Sequence, residues 1–225
     1  VLHLPSQKKI LEVKNLKKYF PATQKQQLKA VDNVSFDIYE GETLGIVGES
    51  GCGKTTCGKT CLGMYPVTDG EVLFHGKNIH TMSKKERFAF TKRVQMIFQD
   101  PYSSLNPKKT VRQILSEPYM INRETFEGDI EQKVLELCEM VALPRNLLDH
   151  YPHELDGGMR QVVGIARALS LSPDFIVCDE PVSSLDVSVQ ARIVNLLIDI
   201  QKQQNIAYLF ISHDLSVVRH ISNDI

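Results

Sequence analysis

GESGCGKTTCGKT, residues 48–60, matches the phosphate-loop pattern G-x-x-x-x-G-K-[ST] twice, over 48–55 and again over 53–60. The two matches overlap, so only one can be the loop. A phosphate loop needs a strand feeding a glycine-rich turn that opens a helix, so that backbone N–H groups and the helix dipole face the anion. Before Gly48 stands TLGIV, a short apolar run of strand character, and Gly48, Gly51 and Gly53 permit the turn. Before Gly53 stands only the first loop. Lys59 is turned about 140° round the helix from Lys54 and reads as a solvated helix lysine. The first match is therefore the site. Glu49, Ser50, Cys52 and Thr56 complete it, Lys54 reaches the β- and γ-phosphates, and the Thr55 hydroxyl binds Mg²⁺.

A second stretch strengthens this reading. DFIVCDE, 174–180, is an apolar strand ending in two acids. Two acids at a strand end are unremarkable alone. Beside a phosphate loop, Asp179 is placed to hold Mg²⁺, directly or through water, and Glu180 to polarise a water for attack on the γ-phosphate.

The remaining order of elements sets the architecture. KILEVKNL and VDNVSFDIY alternate apolar and polar residues as half-exposed strands do, and EVLFHG and VQMIFQ add two more. From about 110 to 170 the pattern is helical: TVRQILSEPYMI, DIEQKVLELCEMVAL and GMRQVVGIARALSL, with Pro144 and Pro152 as breaks. The amphipathic helix VQARIVNLLIDIQKQ and the strand IAYLFISHD follow DFIVCDE. Strands, a helical block, then alternating strands and helices predict an α/β core with a helical insertion.

With 225 residues the chain can bury a substantial core in one or two domains. Its 26 basic and 27 acidic residues leave a net charge of −1, which argues against a broad attraction to nucleic acid or anionic lipid. No apolar run approaches the ~18 residues that span a bilayer. The opening VLHLPSQKK has neither a signal-peptide core nor a Met, so the natural N-terminus is expected to lie upstream. The five cysteines have neither zinc-site nor disulfide-framework spacing, and Cys57 and Cys61 read as small buried thiols of a reduced, cytosolic protein.

With the loop and the acid pair in place, nearly the whole chain resembles the ATPase subunit of ABC transporters. The resemblance implies a P-loop NTPase core with an antiparallel β subdomain and an inserted helical subdomain at about 101–170. It also implies one ATPase domain over 1–225 that is cut short at its C-terminal end. Gln99 in IFQDP resembles the family's glutamine that contacts Mg²⁺ and the water. HELDGGMRQ, 153–161, stands where the family carries Leu-Ser-Gly-Gly-Gln, SSLD at 183–186 resembles its D-loop, and His213 in ISHD its switch histidine. Phe20, with Tyr19 as the alternative, falls where an aromatic stacks on adenine. FQDPYSSLNP and LDVSVQARIVNLL resemble the importers of oligopeptides, dipeptides and nickel.

The resemblance implies ATP and Mg²⁺ as cofactors, hydrolysis coupled to transport, and a peripheral place on the cytoplasmic face of the cell membrane. It implies integral permease subunits as partners, docking on the helical block from Pro101 to Met120, and no nucleic acid. It implies also a second ATPase subunit, because the family sandwiches each ATP between one phosphate loop and the other subunit's signature. In that signature the serine position holds Asp156, ahead of Gly157 and Gly158, and Met159 replaces the usual glutamine. Loss of a neutral hydrogen bond costs about 1 kcal/mol. A carboxylate ~4 Å from a phosphate charge adds repulsion on the order of 4 kcal/mol at an effective dielectric of 20, lessened by Mg²⁺ and Lys54. The expectation is a heterodimer in which the site built on this chain's phosphate loop is the active one. A homodimer with Asp156 folded aside as a helix cap is the alternative. Two other functions fit less well. A soluble ABC ATPase of nucleic-acid repair or translation would bring a coiled coil, a zinc module or a second ATPase domain, and a regulatory subunit with weak hydrolysis would not need both Glu180 and His213.

Overall fold

The computed structural model describes residues 8–23, 26–123 and 126–225. Most of the opening VLHLPSQKK lies outside them. Two sheets organise the chain. One is antiparallel, built from β1 (Lys9–Thr23), β2 (Gln26–Tyr39), β4 (Asp69–Phe74) and the two-residue β5 (Lys77–Asn78), in the spatial order β2-β1-β4-β5. The other is parallel, built from β3 (Thr43–Val47), β6 (Val94–Ile97), β7 (Phe175–Asp179) and β8 (Ala207–Ser212), in the order β3-β8-β7-β6.

β7 and β8 are wholly buried, and apolar up to their last residues Asp179 and Ser212, because both faces of the parallel sheet are covered. Ile176, Cys178, Tyr208 and Phe210 point into a core shared with the helical block. Phe175, Val177, Leu209 and Ile211, one residue out of phase, point into a second core under the antiparallel sheet and α1 (Lys54–Cys61). The period of two along a strand thus assigns alternate residues to two cores, and each large side chain buried there contributes roughly 1.5–3 kcal/mol.

Helices α3 (Pro101–Ser104), α4 (Val111–Ile121), α5 (Ile130–Met140) and α6 (Gly157–Leu169) follow β6 and pack on one another. Thr110 starts α4 with a capping box closed by Gln113, and Asp129 caps α5. Pro118 sits inside α4, where the periodic apolar pattern of Val111, Ile114 and Leu115 outweighs the backbone bond that proline cannot make. The 3-10 turns at Arg145–Leu147 and Pro152–Glu154 follow the two expected proline breaks. Then α7 (Val187–Gln204) and α8 (Leu215–Ile221) complete the chain.

Several elements differ from the sequence expectation. α2 (Lys84–Arg93) has Phe88, Ala89 and Phe90 as its apolar residues, without a helical repeat, and buries only Phe90; the Ser83–Glu86 capping box starts it. β1 runs on past KILEVKNL through Pro21, because β2 continues beside it from Gln26. Pairing with a neighbour, rather than alternation, sets that length.

Candidate functional site

The C-terminal ends of β3, β8 and β7 lie side by side, so the residues that follow them meet at one edge of the sheet. The turn after β3 holds Gly51 at φ 80° and Gly53 at φ 101°, both left-handed. A Cβ on Gly53 would also come within 1.9 Å of the Ala30 carbonyl oxygen on β2, so no other residue fits there. Gly53 caps α1 without any side-chain bond, and the first turn of α1 holds no acid. The helix therefore presents free N–H groups and a positive dipole end that no side chain of its own first turn offsets, the arrangement that binds an anion.

Around this turn the polar side chains converge. Lys54 is buried, and its Nζ donates to the carbonyls of Gly48 (2.7 Å) and Glu49 (2.8 Å). The Thr55 hydroxyl donates to Asp179 Oδ1 at 2.7 Å. Burial pushes the Asp179 carboxyl above its ordinary range; the Thr55 bond and then the charge of Lys59 pull it back, Glu180 raises it and Lys54 lowers it. Lys59 is thus not a simply solvated lysine. It is half-buried, one helical turn beyond Thr55 on the same face, and so acts on the same carboxylate. Thr60, which ends the second phosphate-loop match, is fully buried and bonds back to the Thr56 carbonyl.

Glu180 follows β7 in a left-handed conformation, φ 45°, pinned by its N–H to the Ile211 carbonyl at 2.9 Å. A non-glycine residue held there signals strain kept by its surroundings. Its Oε1 lies 3.9 Å from Lys54 Nζ, and its Oε2 accepts from Gln99 Nε2 at 3.2 Å. His213 Nδ1 lies 3.2 Å from the same Oε2. Three segments distant in sequence therefore meet on one carboxylate.

A cleft of about 350 Å³ runs from this cluster to Phe20. Phe20 lines it and is braced edge-on by Tyr65, with ring centroids 5.5 Å apart. Tyr19 does not line it: its hydroxyl is bonded to Asp32. Leu28, Lys29 and Ala30 of β2 line the cleft as well. Sequence reading passed over them, and only the pairing of Phe20 with Leu28 across β1 and β2 shows the connection.

Asp156, Gly157 and Gly158 do not line the cleft. They stand at the start of α6, where Asp156 Oδ1 accepts from the Met159 N–H at 2.7 Å as an N-cap. A Cβ on Gly158 would come within 2.8 Å of Val189 Cγ1 on α7, so close helix packing demands the glycine. One chain alone assembles the loop, the acid pair, Gln99, His213 and Phe20, and leaves the α6 N-terminus facing elsewhere.

The family model described as ABC transporter matches residues 31–183, from β2 through the phosphate loop and the acid pair. The chain belongs to the ABC transporter family. YkfD of Bacillus subtilis (strain 168) is 54% identical over 217 residues, covering 96% of this chain and 66% of its own length. The oligopeptide transport ATP-binding protein OppF of the same organism is 52% identical over 219 residues, covering 96% and 72%. The chain thus spans about two thirds of these curated relatives. Among solved structures, the dimeric post-hydrolysis state of the ATP-binding cassette MJ0796 bound to ADP and Pi is 26% identical with a TM-score of 0.84, covering 96% of this chain and 93% of that one. The two-sheet α/β architecture is therefore that of an ABC cassette. Among the described residues, no helix is long and apolar enough to cross a membrane.

Proposed function

We propose that this chain binds and hydrolyses Mg-ATP as one ATPase subunit of a peptide-importing ABC transporter. The observation that carries the reading is the Glu180 carboxylate, held within 3.2 Å of both Gln99 and His213 and within 3.9 Å of Lys54, directly beside an uncapped helix N-terminus. On this reading Glu180 is the base, Lys54 the cation and the α1 N-terminus the anion cradle.

The roles are those the family resemblance implies, and this geometry supports them. The α1 N-terminus and the loop N–H groups take the phosphates, and Lys54 exchanges its two carbonyl partners for the β- and γ-phosphates. The Thr55 hydroxyl, the Asp179 carboxylate and the Gln99 amide oxygen are a hard-oxygen donor set that suits Mg²⁺, which in this chemistry neutralises charge on the phosphates. Glu180 orients and deprotonates the attacking water, Gln99 positions that water, and His213 donates toward the γ-phosphate. Phe20 stacks on the base.

Peptides rather than nickel are favoured by the name of OppF, which at 52% identity is an oligopeptide transport ATP-binding protein. Permease subunits, docked on the helical block near Tyr102, would hold the chain peripherally at the cytoplasmic face of the membrane. A second ATPase subunit would supply the missing signature, in keeping with the dimeric MJ0796 cassette. We favour a heterodimer, since Asp156, although it caps α6 as the homodimer alternative expects, would still bring a carboxylate to the nucleotide of the partner.

Glu180→Gln tests the reading. In the transporter assembled with its partner ATPase and permeases, turnover should fall by about 10²–10⁴-fold while ATP still binds. An unchanged rate would overturn Glu180 as the base. Absence of ATP turnover in the wild-type assembly would overturn the ATPase itself.

A further inference from the structure

α6 carries two arginines seven residues apart, Arg160 and Arg167, which places them on one face of the helix. Neither forms an ion pair with a carboxylate among the described residues. Arg167, whose burial lowers its affinity for the proton, donates from Nη1 to the Ser104 carbonyl and lies 6.0 Å from the Phe98 ring. Arg160 is more enclosed, only 6% exposed. Its Nε donates to the Pro152 carbonyl at 2.5 Å and its Nη2 to the His153 carbonyl at 3.3 Å. The guanidinium itself lies 3.6 Å from the centre of the Tyr102 ring.

Both arginines therefore hold the same segment, 98–104, which leaves β6, carries Gln99 and begins α3. A buried guanidinium with no counter-ion persists only where carbonyls and an aromatic face replace its water. Its plane and fork of donors also fix direction, which a lysine could not do. The carbonyls it grips belong to the turn just before Asp156. Tyr102, its third partner, is 59% exposed and sits three residues beyond Gln99.

We infer that Arg160 is a positioning residue that ties the Gln99 segment, through the Tyr102 ring, to the Asp156-Gly157-Gly158 turn. A displacement of Tyr102 moves the guanidinium, and with it the backbone from which the α6 N-terminus starts. The consequence for turnover rests on the ATPase reading above; the contact itself does not.

Amide hydrogen exchange on the purified chain tests the contact, because loss of an exposed ring leaves the fold intact. In Tyr102→Ala the first turn of α6 should exchange about tenfold faster, the equivalent of a lost cation–π contact, with the phosphate-loop amides unchanged. Tyr102→Phe, which keeps the ring, should restore the wild-type exchange. In the assembled transporter, Tyr102→Ala and Arg160→Met should each lower ATP turnover about tenfold with KM within about twofold, and the double variant should be no worse than either single one. Because Arg160 is buried, a shared effect cannot arise from a permease touching Tyr102 alone. Unchanged α6 exchange in Tyr102→Ala, or additive losses in the double variant, would overturn the inference. No turnover in the wild-type assembly would overturn the ATPase reading, and the exchange result would still decide the contact.

Discussion

Two helices in this chain begin with glycine-rich turns, and their first turns are opposites. α1 starts from Gly53 with no side-chain cap and no acid in its own first turn, so its N–H groups await an external anion. α6 starts from Asp156, whose carboxylate already accepts from Met159 N–H at 2.7 Å. One end is a site because its own sequence leaves it unsatisfied. The other has supplied its own anion. A serine at position 156 would also cap the helix, but as a neutral group that leaves the dipole available to a phosphate. The difference teaches that a glycine-rich helix start is read by what stands at its cap, and that this chain's two such helix starts are electrostatically unlike.

The contrast can be broken at either end. The largest effect is expected at α1: Lys54→Met should weaken ATP binding by about 10–100-fold, the worth of charge-assisted bonds to phosphate, measured by fluorescent-nucleotide titration. Retained affinity would mean that the loop N–H groups suffice. Next, Phe20→Ala should raise the ATP dissociation constant about tenfold, from a lost base stack, whereas Tyr19→Phe should leave it within about twofold. The reverse order would move the base to Tyr19. At the other end, Asp156→Ser placed in the Glu180→Gln background should promote Mg-ATP-dependent self-association by about tenfold, read by light scattering. Equal association with and without the aspartate would make Asp156 harmless and favour a homodimer.

The smallest effect concerns Asp179. Burial already raises its carboxyl, so the protonated form is favoured as pH falls, and a metal must displace that proton. Lys59→Met removes a charge that lowers the group, so protons should begin to compete with Mg²⁺ at a higher pH, read as an upward shift of the acid limb of Mg²⁺-dependent turnover. The Mg²⁺ requirement should exceed that of the wild type only on the acid side of the profile and lose that excess as pH rises, because proton and metal compete for one carboxylate. A pH-independent effect would place Lys59 outside the metal's field.

Much of the site was legible in the chain order alone. The phosphate loop is a local device: six residues of turn, a strand before and a helix after, all encoded within about twenty positions. The Asp179–Glu180 pair was legible because a strand covered on both faces must be apolar until it ends. The helical block announced itself by periodicity. α2 did not, since its face toward the protein is a single phenylalanine, although S-x-x-E at 83–86 was the signal that marked its start.

The sequence by itself determined what is local: which glycines can turn, which residues can hold phosphate, and which helix ends carry a cap. Asp156 was visible as an acid where a serine was expected, with capping among its readings. Only the tertiary structure decided which atoms share a carboxylate. Gln99, Lys54 and His213 meet at Glu180 because β3, β8, β7 and β6 lie parallel and side by side, an order that no single segment specifies. It also parted Phe20 from Tyr19, which alternate across one strand so that one faces the cleft and the other Asp32. It set Lys59 against Asp179 and Arg160 beneath Tyr102. The physical reason is common to all of these: local propensity acts over a few residues, whereas a side chain's electrostatic partners are chosen by packing between elements far apart in the chain.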